Sequence, residues 1–338
     1  MMFDHNDIEK KYVLILKVLN KAQQPVGARL IARDMTDQGV SLSERSVRYH
    51  LKIMDERGLT RLVGRRDGRV ITEKGREELG NARVYDNLGF AISRMDALSY
   101  RTTFDPENRK GLVPVNISFF PEDILKRALS AMKPAFDAGA CVSNLVALAG
   151  QGSFLGEVRV PEGQIGVATI CSVVMNGVLL KAGIPMSSRF GGILEIKDGK
   201  PLRFVEIIDY SGSSLDPSEI FIRARMTRVR ERVDSGNGMI LANFREVVGI
   251  CRKSVLDVEK GLINAGIHCV LATGDVGKAS CQVSVDANKV GMVLAGGLNP
   301  IALAQEAGVD ADNLAMSAMM EYDCFEPFDR VYTATVIK

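Results

Sequence analysis

At 338 residues, with 46% hydrophobic and 25% charged residues, the chain has an ordinary globular composition and length enough for two or three domains. No apolar run approaches the roughly 18 residues a membrane-spanning helix needs, and the charged opening "MMFDHNDIEKKYVLILKVLNKA" is unlike a secretory signal, so no membrane partner is expected. The net charge of +2 conceals an asymmetry: residues 1–83 hold 17 basic against 12 acidic side chains, whereas residues 84–338 hold 26 against 29.

Residues 8–19 place Ile8, Tyr12, Ile15, Leu16 and Leu19 on one helical stripe, which Pro25 and Gly27 end. "ARLIARDMTDQG" predicts a shorter second helix with Leu30, Ile31 and Met35 inward and Gly39 as its stop. Ser43 is the expected N-cap of a third helix, with Ser41 and Glu44 as a competing capping box. Val47, Leu51 and Met54 recur at core spacing in it, and Gly58 suits its C′ position. Next, "LTRLVG" and "RVIT" flank "RRDG", a hairpin signal.

Three helices and a basic hairpin make a winged helix-turn-helix, similar over residues 8–80 to prokaryotic winged-helix repressors. Ten basic residues face five acidic ones between residues 41 and 76, which points to double-stranded DNA as partner. The candidate DNA contacts are Arg45, Ser46, Arg48, Tyr49 and Lys52 on the third helix and Arg65, Arg66 and Arg69 on the wing. Arg45 and Arg48 are the choices for base edges, since arginine pairs bidentately with guanine; the others position the module on phosphates. A winged helix used for protein contact is the alternative, although that use needs no basic third helix. His50 borders the core face, where packing is its expected role.

Beyond a connecting segment at 84–110, containing the helical "LGFAISRMDAL", the chain repeats itself. "VRVPEGQIGVATICSVVMNGVLLKAGIP" (158–185) aligns without a gap on "VSVDANKVGMVLAGGLNPIALAQEAGVD" (283–310), matching Val158 to Val283, Gly166 to Gly291 and Gly183 to Gly308. The pattern extends in both directions, upstream through "NISFFPEDILKRALS" and "LANFREVVGICRKS". The expected architecture is therefore α+β: a winged helix at 1–83, a connector at 84–110, and an α/β effector domain at 111–338 made of two duplicated lobes, about 111–212 and 238–338.

In each copy a strand feeds tightly into a helix, at Cys171-Ser172 in the first and Gly296-Gly297 in the second. Helix starts present free N–H groups and about +0.5 of partial charge, so two facing starts would suit a small dicarboxylate. The candidate effector residues are Thr169, Cys171, Ser172, Arg189, Gly296, Gly297 and Asn299, with Arg189 placed to pair with a carboxylate. Strand-to-helix turns are more often purely structural, and Gly-Gly is also explained by close packing.

Catalytic and metal chemistry find little support. Six single cysteines form no C-x-x-C pair, which argues against zinc and a disulfide framework and for a reducing cytoplasm. Outside the winged helix His268 is the sole histidine available to a Cys171 nucleophile. "ATGDVGKAS" lacks the first glycine and the final Ser/Thr of a phosphate loop. No catalytic residue, metal or cofactor is expected.

The winged helix with "SERSVRYHLK", the connecting "LGFAISRMDALSYRTTFDPENRKG", "CSVVMNGVLLKAGIP", "FGGILEI" and "DPSEIFI" together resemble the archaeal nitrogen regulatory repressors called NrpR, over essentially the whole chain. The resemblance implies a dimeric repressor on inverted-repeat operators of nitrogen-assimilation genes, released by 2-oxoglutarate as allosteric effector. Some members carry two effector domains where this chain has one, which implies a homodimer, a higher oligomer or a second effector-domain subunit. The alternative function is a small keto-acid-processing enzyme fused to a winged helix.

Overall fold

The computed structural model describes residues 5–22, 25–37, 42–64, 68–86 and 90–337. The chain forms two compact units, residues 1–88 and 89–338.

In the first unit, helices α1 (His5–Lys21), α2 (Ala28–Asp37) and α3 (Glu44–Glu56) precede an antiparallel hairpin of β1 (Thr60–Gly64) and β2 (Gly68–Ile71), then α4 (Glu73–Asp86). Tyr12, Ile15, Leu16 and Leu19 meet Ile31, Met35, Val47, Leu51 and Met54 in one core, the side chains at helical spacing turning to a common face. Leu30 is the exception to the expected pattern: it is 57% exposed, because Ile31 and Met35 already fill the narrow buried stripe of a ten-residue helix. Ser43 caps α3, its Oγ accepting from the Ser46 N–H at 3.1 Å. Gly58 follows α3 with φ +74°, the left-handed conformation expected of a C′ glycine. Ser41 and Gly39 lie outside the described residues.

The second unit begins with α5 (Phe90–Arg101). Ala91, Met95 and Leu98 of α5 pack with Cys171, Val173, Tyr210 and Met316. Helix α5, expected to lie in a separate connector at 84–110, is instead part of the second unit's core, because one of its faces is apolar. The first copy runs β3 (Leu112–Pro121), α6 (Leu125–Asp137), β4 (Leu145–Ala149), β5 (Phe154–Leu155), β6 (Val158–Arg159), β7 (Gln164–Ile170), α7 (Val173–Lys181) and β8 (Met186–Lys197). Then come β9 (Lys200–Asp209), α8 (Pro217–Arg223) and α9 (Val229–Ser235). The second copy runs β10 (Gly238–Val248), α10 (Arg252–Asn264), β11 (Val270–Thr273), β12 (Lys289–Ala295), α11 (Asn299–Glu306) and β13 (Asp312–Glu321), followed by β14 (Glu326–Pro327) and α12 (Phe328–Tyr332). The β5–β6 hairpin survives in the second copy as the single bridge Ser280↔Val283.

The copies are not independent lobes. The two sheets run β13-β3-β7-β4-β14 and β11-β12-β10-β8-β9, so each copy's last strand joins the other copy's sheet. This corrects the division at 111–212 and 238–338: strand β8 extends β10 and strand β13 extends β3, each satisfying an edge that would otherwise expose unpaired N–H and C=O groups. The helices cross over likewise, α6 packing on α11 and α10 on α7. The exchange ties the two strand-to-helix turns into one body.

Candidate functional site: two turns closed on a buried arginine

The turns after β7 and β12 are fixed by the same device. The Cys171 N–H donates to the Pro114 carbonyl on β3 at 2.9 Å, and the Gly296 N–H to the Leu241 carbonyl on β10 at 2.8 Å. They abut. A Cβ on Gly297 would lie 2.4 Å from Asn116 Nδ2, 2.8 Å from the Ile170 carbonyl oxygen and 3.5 Å from Cys171 Cα, so only glycine allows this approach. Between them lies a small cavity of about 20 Å³, walled by Ser172, Gly297, Asn116, Asn243, Arg245 and Asp216 among others.

Arg245 dominates this cavity. It is 1% exposed, and its guanidinium donates to the Ser172 carbonyl at 3.3 Å and to Ser172 Oγ at 3.1 Å, leaving Nε with no partner. No carboxylate forms an ion pair with it among the described residues. A buried charge without a bound counter-charge costs several kcal/mol, the energetic mark of an anion site. Burial lowers its pKa accordingly. Asn243 donates to Ser172 Oγ at 3.2 Å and accepts from the buried Tyr210 hydroxyl, while Asn116 Oδ1 accepts from the Met316 N–H at 3.0 Å. Met316 has φ +48° in a bulge of β13, where residues 315–317 stand between the pairs Leu314↔Ile117 and Ala318↔Val115. Met316 and Asp216 also wall an adjoining outer chamber of about 190 Å³, together with Arg94 of α5 and Glu219 of α8.

Of the expected effector residues, Cys171, Ser172 and Gly297 meet at the cavity. Thr169 serves as a tie, donating to the Gly297 carbonyl at 3.2 Å. The other three belong elsewhere. Asn299 is fully buried and clamps β10, its Oδ1 accepting from the Leu241 N–H at 2.8 Å and its Nδ2 donating to the Leu241 carbonyl at 3.1 Å. Gly296 packs against Leu241. Arg189 is the extra residue of a β8 bulge and pairs with the buried Glu246 at 2.8 Å, away from the cavity. Sequence reasoning missed Asn116, Asn243, Arg245, Tyr210 and Asp216. One signal was available: Asn116 and Asn243 are the only identity between the two copies' first strands. Burial pushes the Cys171 thiol up to about 11, which leaves it protonated at neutral pH, and His268 is exposed and absent from the cavity wall.

In the winged helix, Arg45, Arg48, Tyr49 and Lys52 are exposed together on α3. Arg48 forms an i,i+4 ion pair with Glu44, and the half-buried Ser46 is engaged through its N–H in the helix cap. Arg65 and Arg66 lie outside the described residues. Arg69 corrects the expectation of a wing contact: its Nε pairs with Asp55 of α3 at 2.7 Å, with 19% of the side chain exposed, while Thr60 holds the other Asp55 oxygen at 2.6 Å. The guanidinium braces the hairpin against α3. His50 packs edge-on to Tyr12, as a core residue does, but its Nδ1 has no hydrogen-bond partner.

A basic winged helix preceding a duplicated domain that closes on a buried cavity defines a regulator. The family model for the NrpR regulatory domains NRD1 and 2 matches residues 88–327, and the model for the ribonuclease R winged-helix domain matches residues 13–79. The global nitrogen regulator NrpRI of Methanosarcina mazei is 38% identical over 93% of this chain and 97% of its own length. The global nitrogen regulator NrpR of Methanococcus maripaludis is 32% identical over 93% of the chain, but over 54% of its own length. The crystal structure of a nitrogen repressor-like protein from Methanococcus jannaschii superimposes with a TM-score of 0.60 and 28% identity, over 70% of this chain and 98% of that one. The chain belongs to the NrpR family of nitrogen regulators. That family is one of regulators and not of enzymes, which removes the keto-acid-processing alternative. No helix among the described residues is long and apolar enough to cross a membrane.

Proposed function

We propose that the protein represses nitrogen-assimilation genes by binding operator DNA through α3 and the wing, and that 2-oxoglutarate bound at the buried cavity releases it. One observation carries the reading: Arg245, a fully buried guanidinium with an unpartnered Nε and no paired carboxylate among the described residues, sits where the two turns meet. A dicarboxylate supplies the missing counter-charge. The amides of Asn116 and Asn243 and the Ser172 hydroxyl offer donors for its remaining oxygens.

Size links binding to release. A cavity of about 20 Å³ holds roughly one water, so a five-carbon dicarboxylate enters only if the walls separate toward the outer chamber. The ligand then has a large differential affinity for an opened form, which is what a population shift requires. In a dimer with half-sites about one helical turn apart, a small rotation misplaces both recognition helices. The proposed partners are operator DNA and a second copy of the chain, with a higher oligomer or a separate effector-domain subunit as the further assemblies. A gel shift of operator DNA titrated with 2-oxoglutarate and with glutarate tests the reading. Retardation that 2-oxoglutarate abolishes at lower concentration than glutarate supports it; retardation indifferent to both rejects the effector, and none at low salt rejects the DNA partner.

A further inference from the structure

We propose that helix α5 is the part of the cavity wall that yields to the effector, a lever pinned at its C-terminal end that passes the opening on to the winged helix. The inference rests on the reading above that the cavity takes a dicarboxylate.

Much of the cavity wall is too well tied to give way. Asn116 stands on β3, and Asn243 and Arg245 on β10; each strand has a neighbour on both sides, so moving it breaks two ladders. The two turns are held by the Pro114 and Leu241 carbonyls and tied to each other through Thr169. What remains is the side toward the outer chamber, with Met95 of α5, Met316 of the β13 bulge and Asp216 ahead of α8. Strand β13 is an edge strand, and its ladder to β3 is broken over residues 315–317. There the Ala315 and Met316 N–H groups donate to side chains instead, Glu219 Oε1 at 2.7 Å and Asn116 Oδ1 at 3.0 Å.

Helix α5 is fastened unequally along its length. Just past its C-terminal end, Thr102 is fully buried against α7, where a Cβ on Gly177 would lie 2.3 Å from Thr102 Cβ. Beside it Arg101 pairs with Glu157, whose other oxygen accepts from the Met319 N–H at 3.3 Å, and Lys181 lies 5.6 Å from the Tyr100 ring centroid. The N-terminal half borders space rather than packed side chains: Ala91 and Arg94 line the outer chamber of about 190 Å³, and Met95 lines the inner cavity. Its hydrogen bonds to the Ser213 and Ser317 carbonyls, from the Ala91 N–H and the Arg94 guanidinium, are long at 3.3 Å and 3.4 Å. A dicarboxylate that parts Met95 from Met316 therefore swings this half about the Thr102–Gly177 contact, since a packed helix moves as one piece. Residues 87–89 alone separate that end of α5 from α4 in the chain, so the swing is delivered where the first unit joins the second.

Amide hydrogen exchange of the full chain, with and without 2-oxoglutarate at a concentration that calorimetry shows to be saturating, tests this. The amides of residues 94–97 and 315–317 should exchange at least about fivefold faster with effector bound, while those of 99–102 and 173–181 keep their rates. Unchanged or slower exchange at 94–97 and 315–317, or faster exchange confined to the turns at 171–172 and 296–297, overturns the inference while leaving the cavity reading intact. Ala91→Phe tests the coupling from the other side. Ala91 is 2% exposed and lines the outer chamber, so the larger ring wedges beneath the N-terminal half of α5 without changing any charge. The variant should bind operator DNA at least about fivefold more weakly than wild type with no effector present. Operator affinity equal to that of wild type overturns the lever. Absence of 2-oxoglutarate binding by wild type overturns both this inference and the cavity reading. The wild-type exchange pattern decides the matter even if the variant does not fold.

Discussion

The Thr169 hydroxyl, on the last sheet strand before the first turn, donates to the carbonyl of Gly297 in the second turn, 128 residues away in sequence and 3.2 Å away in space. This bond joins the end of the first copy's strand to the turn of the second copy. It also marks a close approach of the two turns, which Gly297 permits because it has no side chain to hold them apart.

Gly297→Ala should therefore cost stability. The added methyl would sit 2.4 Å from Asn116 Nδ2 and 2.8 Å from a backbone carbonyl that cannot yield without moving β7. A loss of about 1–3 kcal/mol is expected, read as a lowered thermal midpoint of the second unit. An unchanged midpoint would show that the turns separate at little cost.

Arg245→Met separates binding from folding. Replacing a buried charge that has no ion-pair partner among the described residues by an apolar side chain of similar length is expected to be neutral or stabilising by about 1–4 kcal/mol. Dicarboxylate affinity should fall by about 2–5 kcal/mol, or 30-fold and more, in calorimetric titration. Retained affinity would place the ligand elsewhere.

The exposed face of α3 and the brace at Arg69 should respond differently to alanine. Arg45→Ala and Lys52→Ala each remove an exposed charge, and each should lower the slope of log affinity against log salt by about one. Arg69→Ala should instead loosen the hairpin by releasing Asp55, seen as reduced stability of the first unit. A reduced salt slope with unchanged stability in Arg69→Ala would return that residue to the interface.

His50 makes the winged helix sensitive to acid. Its pKa lies below the ordinary 6.5, first because burial disfavours the charged ring and second because of Lys11. The unfolded chain thus binds the proton before the folded one does. Stability is fully present above about pH 6.5 and declines as pH falls from there toward the folded pKa. Thermal midpoints of the first unit measured down that range should drop more steeply for wild type than for His50→Gln; superimposed profiles would remove His50 as the cause.

How much of this was legible in the sequence follows from the range of the forces involved. Val47, Leu51 and Met54 on one face of α3, the Ser43 cap and the Gly58 stop are local, set by helical periodicity and backbone sterics within a few residues. The alignment of Cys171-Ser172 with Gly296-Gly297 was equally plain, since a duplication leaves its trace in residue order. Arg69 was misread because a basic residue beside a turn looks the same whether it faces solvent or Asp55 of α3. Arg189 and Arg245 pose the same problem: each is an arginine on a strand, and only the β8–β10 register, with its bulge at Arg189, sends one to Glu246 and the other under Ser172.

The amino-acid order by itself determined a basic winged helix and a twofold repeat with a tight turn in each copy, because those depend on near-neighbour geometry. Tertiary structure decided that the copies trade their final strands, that the turns meet, and that Arg245 is the charge buried between them. Those outcomes depend on which sheet edge captures which strand across more than a hundred residues, a competition of hydrogen bonding and burial that no local pattern records.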